Sequence, residues 1–213
     1  MKVMDTIKEV QEILNTKTTP EVAEYLIGMY VENITPKGIT AGYIVDCEAY
    51  LGPEDEAAHS YGMRKTPRVR AMYEKAGTIY LYTMHTHLIL NIITQKSGLP
   101  QGVMIRAIEP AAGVELMKEN RGGKNGPQLS NGPGKLVAAL GITKDLYGQS
   151  IFSSSLRLVP EKKRAAKEIL HLPRIGIPNK GQWTQMPLRY AVAGNPYISQ
   201  QKKNQITEDW GWR

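Results

Sequence analysis

Residues 43–50, Tyr-Ile-Val-Asp-Cys-Glu-Ala-Tyr, constrain the fold of this chain more than any other segment. They are rich in Val, Ile and Tyr and stop at Gly52-Pro53, the pattern of a β-strand closed by a turn. Side chains alternate along a strand, so Asp46, Glu48 and Tyr50 share one face, and Tyr43, Val45, Cys47 and Ala49 share the other. Carboxylates embedded in apolar sequence are rare unless paired or engaged in chemistry. A short acidic loop, Glu54-Asp55-Glu56, follows, then Ala57-Ala58-His59-Ser60. Two readings fit. In one, a half-exposed edge strand runs into a solvated loop; in the other, Glu48, Tyr50 and His59 converge on one pocket. On spacing alone the edge strand takes precedence.

The rest of the chain supplies the frame. Its 213 residues suit one domain, and a hydrophobic content of 41% is enough for a core. Residues 3–14 place Val3, Ile7, Val10, Ile13 and Leu14 at helical spacing. Thr18-Thr19-Pro20-Glu21 opens a second helix that runs to Ile27 and breaks at Gly28. Residues 29–34 and 39–50 read as paired strands across the Pro36-Lys37-Gly38 turn. Residues 78–84 place Tyr80 and Tyr82 on one face, and with residues 87–93 they make a hairpin whose tip lies near His85-Thr86. A further strand covers residues 103–108. Helices at 115–120 and 135–140 flank a glycine-rich loop at 121–134. Residues 155–159, 174–177 and 188–193 read as late strands, 161–167 as a solvated helix face, and 201–213 as a polar tail with Trp210 and Trp212 docking. Strands outnumber helices and lack regular βαβ alternation, so the expected class is α+β, a single domain built on a curved antiparallel sheet.

Composition limits the chemistry. The net charge of +7 fits a polyanionic partner. The run Arg64-Lys65-Thr66-Pro67-Arg68-Val69-Arg70 is a solvated loop by itself, and a phosphate track if a pocket lies beside it. Asn91 is a lone polar group in an apolar run and needs a hydrogen bond. Arg106, mid-strand, needs a carboxylate or a wet cavity, and Glu48 is the obvious partner; a surface-facing arginine fits the pattern equally. If the two pair, Arg106 should lower the pKa of Glu48 and keep it ionised. Gly132-Pro133-Gly134-Lys135 lacks the spacing of a P-loop but can present N–H groups to a phosphate. A single cysteine, Cys47, excludes an internal disulfide and a cysteine-built zinc site. Asp46, Glu48, Glu54, Asp55 and Glu56 with His59, His85 and His87 show no standard metal-ligand spacing, so no metal is expected. No apolar run approaches the length of a membrane span, and the N-terminus carries acids, so a soluble, intracellular protein is expected, cytoplasmic in a bacterium or nuclear in a eukaryote.

Residues 44–60 together, Ile-Val-Asp-Cys-Glu-Ala-Tyr-Leu-Gly-Pro-Glu-Asp-Glu-Ala-Ala-His-Ser, closely resemble the signature of the alkyladenine (3-methyladenine) DNA glycosylase family, the mammalian-type enzymes of base-excision repair. Lys65-Thr66-Pro67-Arg68, Gly77-Thr78-Ile79-Tyr80-Leu81-Tyr82, Arg106-Ala107-Ile108-Glu109-Pro110, Leu129-Ser130-Asn131-Gly132-Pro133-Gly134-Lys135-Leu136, Arg174-Ile175-Gly176-Ile177 and Pro187-Leu188-Arg189-Tyr190 agree in order. The resemblance implies a single-domain fold with a protruding β-hairpin and no cofactor. It also implies a monomer that binds double-stranded DNA containing damaged purines and hydrolyses their N-glycosidic bonds. By position, Glu48 resembles the general base, and Tyr50, His59 and Tyr82 the walls around an extruded base. Asn91 resembles the side chain that excludes guanine, and Arg106 with the backbone of Ile177 the groups that hold the water. Arg64, Lys65, Arg68, Arg70, Lys135 and Arg189 are the cations expected on the DNA backbone. The family's intercalating tyrosine is replaced by His85, with Met84 beside it as a source of apolar bulk, and Thr86 replaces the adjoining glycine. A lesion- or nucleic-acid-binding protein without catalysis on the same scaffold is the first alternative, and retention of Glu48 and Arg106 argues against it; a metal-dependent nuclease using the acids and histidines above is the second, and the missing ligand spacing argues against that.

Overall fold

A computed structural model describes residues 2–213, with side chains from Thr6 onward; the expected packing of Val3 lies outside the described residues. Eight strands form one antiparallel, curved sheet surrounded by helices, in the order β3-β4-β5-β2-β1-β6, with β8 joined to β2 and β7 to β8. The long strand β2 (Gly38–Tyr50) is its spine. One edge of β2 pairs with β5 (Gln101–Ala112) from Ala41 to Tyr50. Its other edge is shared: β1 (Tyr30–Thr35) takes residues 38–43, and β8 (Arg189–Val192) takes Asp46 to Glu48. Register shifts at Ala41/Gly42, Ile44/Asp46 and Asp46/Cys47 mark bulges, which bend a strand and increase its twist. β3 (Ile79–Met84) and β4 (His87–Thr94) form the hairpin beyond β5, while β6 (Leu156–Val159) and β7 (Ile169–Leu172) close the far side.

Helices cover the apolar face. α1 (Lys2–Thr16) buries Val10 and Leu14. α2 (Thr19–Leu26) begins with a full capping box: the Thr18 hydroxyl accepts from the Glu21 N–H while the Glu21 carboxylate accepts from the Thr18 N–H. It buries Val22, Ala23 and Leu26 over Val45 and Cys47, and the Cys47 thiol donates to the Ala23 carbonyl. Gly28 takes φ +79°, and a Cβ there would stand 2.0 Å from the Arg164 carbonyl, so the break after α2 requires glycine. α3 (Val114–Asn120) and α4 (Pro133–Ala139) complete the shell.

Several expected elements differ. Residues 174–177 are an irregular turn, not a strand; the partner of β8 is β7, just before Pro173, which cannot donate to a ladder, and Gly176 at φ +76° turns the chain away. Residues 161–167 are not a helix. A 3-10 turn, Pro160–Lys162, leads into extended chain whose cations lie on rings, Lys163 3.8 Å from the Tyr25 centroid and Arg164 4.1 Å from that of Tyr43. The basic loop becomes a 3-10 segment from Pro67 to Tyr73. The C-terminal stretch is docked through Trp212, buried and donating from Nε1 to Glu109 at 2.7 Å, while Trp210 remains exposed. Among the described residues no helix is long and apolar enough to cross a membrane.

Candidate active site

Directly opposite residues in a sheet present their side chains on the same face. The register therefore builds one row across four strands: Tyr80 opposite Asn91, Asn91 opposite Met104, Met104 opposite Glu48. Tyr80, Asn91 and Met104 of this row line a cavity of about 300 Å³, and Glu48 lies behind its wall, bonded to the lining residues Tyr50, Arg106 and Ile175. Tyr50, His59, Tyr80, Tyr82, Asn91, Met104, Arg106 and the turn Ile175 to Ile177 are among its walls. The edge-strand reading of residues 43–50 fails, because β2 is central; the loop after it folds back so that Tyr50 and His59 line one cavity.

Glu48 is fully buried beside this cavity and accepts three protein donors. Arg106 Nη1 lies 2.9 Å from Oε1, the Ile175 N–H 2.8 Å from the same oxygen, and the Tyr50 hydroxyl 2.9 Å from Oε2. Burial pushes the Glu48 carboxyl above its usual range, and Arg106, the Ile175 N–H and the Tyr50 hydroxyl pull it back only partly. The expectation that Arg106 would leave it lowered fails on that point: desolvation of a carboxylate with no solvent contact outweighs one guanidinium. Asp46, two residues away on the same face, raises it further.

The rings form a connected wall. His59 Nδ1 is 2.9 Å from the Tyr80 hydroxyl, and its ring stands nearly perpendicular to Tyr82 at 4.5 Å between centroids. Burial, then Arg68 and Arg64, lower the His59 pKa, which keeps the imidazole neutral at ordinary pH. Burial raises that of Tyr82 to about 12, so its phenol stays protonated and donates to Met104 Sδ. Asn91 Nδ2 donates to the Tyr80 carbonyl, which aims its amide along the cavity wall.

At the hairpin tip the positive φ (+53°) falls on His85, a conformation histidine tolerates better than most side chains, and not on Thr86, where the glycine is lost. His85 and Met84 are both exposed, and Met84 lines the cavity mouth. α4 starts against this hairpin, because a Cβ on Gly134 would stand 2.6 Å from the Cβ of His87. That approach places Pro133 in the cavity wall.

The expected phosphate contacts divide. Arg64, Lys65, Arg68 and Arg70 are exposed, and Arg64 and Arg68 line an open cleft of about 570 Å³ that shares His59, Gly176 and Ile177 with the cavity. Lys180, which sequence reasoning passed over, lines the same cleft. Lys135 is half-buried, its ammonium donating to Asn131 Oδ1. Arg189, expected on the DNA backbone, is engaged inside the protein instead. It is buried in a two-pronged pair with Asp46 (2.9 and 2.8 Å) and also donates to the Ser199 carbonyl. Ile177 lines the cavity, but the N–H that reaches Glu48 belongs to Ile175. Two further residues escaped notice: Asp55, placed in a solvated loop, and Arg174, placed in a strand, form a fully buried ion pair behind Tyr50. Both lie inside the motifs that carry the family resemblance, but nothing local says that they pair, since each acquires its partner only across the fold. Among the described residues no three His, Cys, Asp or Glu side chains gather as a metal site.

A family model described as methylpurine-DNA glycosylase (MPG) matches residues 13–196. A protein of Enterococcus faecalis named as a 3-methyladenine DNA glycosylase is 70% identical over 97% of this chain and 91% of its own length. Proteins of the same name from Staphylococcus saprophyticus (46% identical, 92% of this chain and 97% of theirs) and Lactiplantibacillus plantarum (45%, 95% and 97%) are similar along nearly their whole length. With the match spanning the sheet, the cavity and the hairpin, this chain belongs to the methylpurine-DNA glycosylase family.

Proposed function

We propose that the cavity receives a damaged purine swung out of duplex DNA and that Glu48 activates the water that releases it. The observation that carries this reading is a buried carboxylate with three donors, adjoining a ring-lined cavity large enough for a small ligand. Glu48 takes a proton from water, the water oxygen bonds to C1′, and the C1′–N bond breaks with its electron pair leaving on the purine. The products are a free base and an abasic sugar. A carboxylate beside the sugar also stabilises its oxocarbenium-like transition state. Arg106 Nε is buried without a protein acceptor, a donor available to a water held at Glu48.

A base inside a duplex is beyond reach of such a group, so it must be extruded at a cost of a few kcal/mol. Stacking on rings returns about 1–3 kcal/mol per base. Purines alkylated at N3 or N7 are cationic, and the faces of Tyr50 and Tyr82 favour cations. Such bases leave readily, which suits a site built around a base rather than a strong acid. 3-Methyladenine and 7-methylguanine are therefore the first substrates to test, with hypoxanthine and ethenoadenine beside them. Asn91 restricts the wall where an unmodified guanine would press. Among the described residues no lysine lines the cavity, so the reaction stops at hydrolysis without strand cleavage. His85 and Met84 fill the gap left in the stack, and Arg64, Lys65, Arg68 and Arg70 hold the backbone.

Incubation with duplexes carrying each lesion, scored for free base, tests the assignment. Glu48→Gln should bind these duplexes and release no base; release at the wild-type rate would remove Glu48 from its role. Binding without release by the unaltered protein would instead mark a lesion-binding protein.

A further inference from the structure

The buried pair behind Tyr50 ties the loop after β2 to the turn at residues 174–177. Arg174 Nη1 and Nη2 reach Asp55 Oδ2 and Oδ1 at 2.5 and 2.9 Å, and neither side chain has any solvent contact. Asp55 also accepts from the N–H groups of Leu51 (3.1 Å) and Ala57 (3.0 Å), so one carboxylate gathers four donors and closes the loop after β2. Arg174 donates to the Ala49 carbonyl at 3.1 Å, and its guanidinium lies 4.7 Å from the centroid of the Tyr50 ring. Tyr50 lines the cavity and Arg174 does not, so the guanidinium backs the ring from the protein side. The next residue is Ile175, whose N–H is bonded to Glu48.

We infer that Asp55 and Arg174 are positioning residues for the catalytic carboxylate, fastening the Tyr50 ring and the turn at residues 174–177 so that the Tyr50 hydroxyl and the Ile175 N–H both stay on Glu48. Two of the three donors to Glu48 thereby depend on one ion pair outside the cavity; only Arg106, from β5, is independent of it. The inference rests on the assignment of Glu48 as the base.

A merely structural buried pair would change stability and nothing else, since such pairs are often replaceable by apolar groups at little cost. A positioning pair changes the ionisation of Glu48. The groups facing that carboxylate are Arg106 from β5, Tyr82 from β3, Tyr50 and Asp46 on β2, and the Ile175 N–H; Cys47 points to the other face, toward α2, and Arg189 of β8 is taken up by Asp46. The Ile175 and Tyr50 donors favour the ionised form, against burial. Loosening them raises the Glu48 pKa further, and the acid limb of base release moves to higher pH.

The experiment measures single-turnover base release against pH, with lesion-duplex affinity in parallel, for Arg174→Lys and for the double variant Asp55→Asn/Arg174→Gln. Lysine keeps the charge and loses the fork. The expected result is a rate at neutral pH reduced about tenfold, on the order of one charge-assisted hydrogen bond, an acid limb moved to higher pH, and affinity changed little. The double variant should show the larger shift. A folded variant whose limb stays in place overturns the inference, whatever its rate or melting temperature. Glu48→Gln is run alongside: activity there sinks the assignment of the base, whereas an inactive Glu48→Gln with unmoved limbs sinks only the positioning role. If neither variant folds, amide exchange in the unaltered protein decides, with Ile175 N–H protected if the turn is fastened and rapidly exchanging if it is not.

Discussion

Arg106→Met isolates the balance of forces on Glu48. The substitution keeps the apolar stem of the side chain and removes the guanidinium whose Nη1 lies 2.9 Å from the carboxylate. Both partners are buried, Glu48 completely. Removing one member of a buried pair costs about 3–5 kcal/mol, because a charge is left uncompensated. Here the Ile175 N–H and Tyr50 hydroxyl remain at 2.8 and 2.9 Å, so the lower end, about 3 kcal/mol, is expected at alkaline pH. The carboxyl can also escape by taking a proton. Its folded-state pKa already lies above 4.5, and losing Arg106 raises it further. Between the unfolded and folded values the native state holds a proton that the unfolded state does not, so stability increases as pH falls through the folded value. The loss should therefore be large near about pH 8 and shrink toward about pH 5. Urea unfolding of both proteins across that range reads it directly. A loss equal at both ends, or greater in acid, would show that Glu48 is not the group responding and would refute the reasoning.

Other outcomes test separate parts of the structure. Arg189→Met should cost about 3–5 kcal/mol of stability by stranding Asp46, yet leave the salt dependence of duplex binding unchanged, while Arg68→Gln should reduce the log–log salt slope by about one; salt titration of binding distinguishes them, and a changed slope for Arg189→Met would return that residue to the DNA interface. His85→Tyr should tighten binding to lesion duplexes by about 1 kcal/mol, through a larger ring at the gap in the stack. Weaker binding in a fluorescence titration would show that the tip does not act as a wedge.

The places where sequence reading failed share a cause. β2 was legible because alternation and a Gly-Pro stop are local signals, and the helix cap at Thr18 and the hairpin tip at His85-Thr86 were legible for the same reason. Residues 174–177 were misread as a strand because three branched or bulky residues around a glycine satisfy the strand pattern, and only the pairing of β7 with β8 shows the ladder ending earlier. Residues 161–167 were misread because a cation-rich run looks solvated until rings from β1, β2 and α2 are brought under it.

The chain alone determined that Asp46, Glu48 and Tyr50 point one way from a strand and which family the signature resembles, since alternation and motif spacing are properties of neighbours along the backbone; whether Arg106 met an acid, a wet cavity or solvent it left open. Only the folded sheet decided which acid each arginine takes: Arg106 with Glu48, Arg189 with Asp46, Arg174 with Asp55. Those partners lie between 58 and 143 residues apart. Guanidinium groups are interchangeable in sequence, and strand register together with burial selects among them.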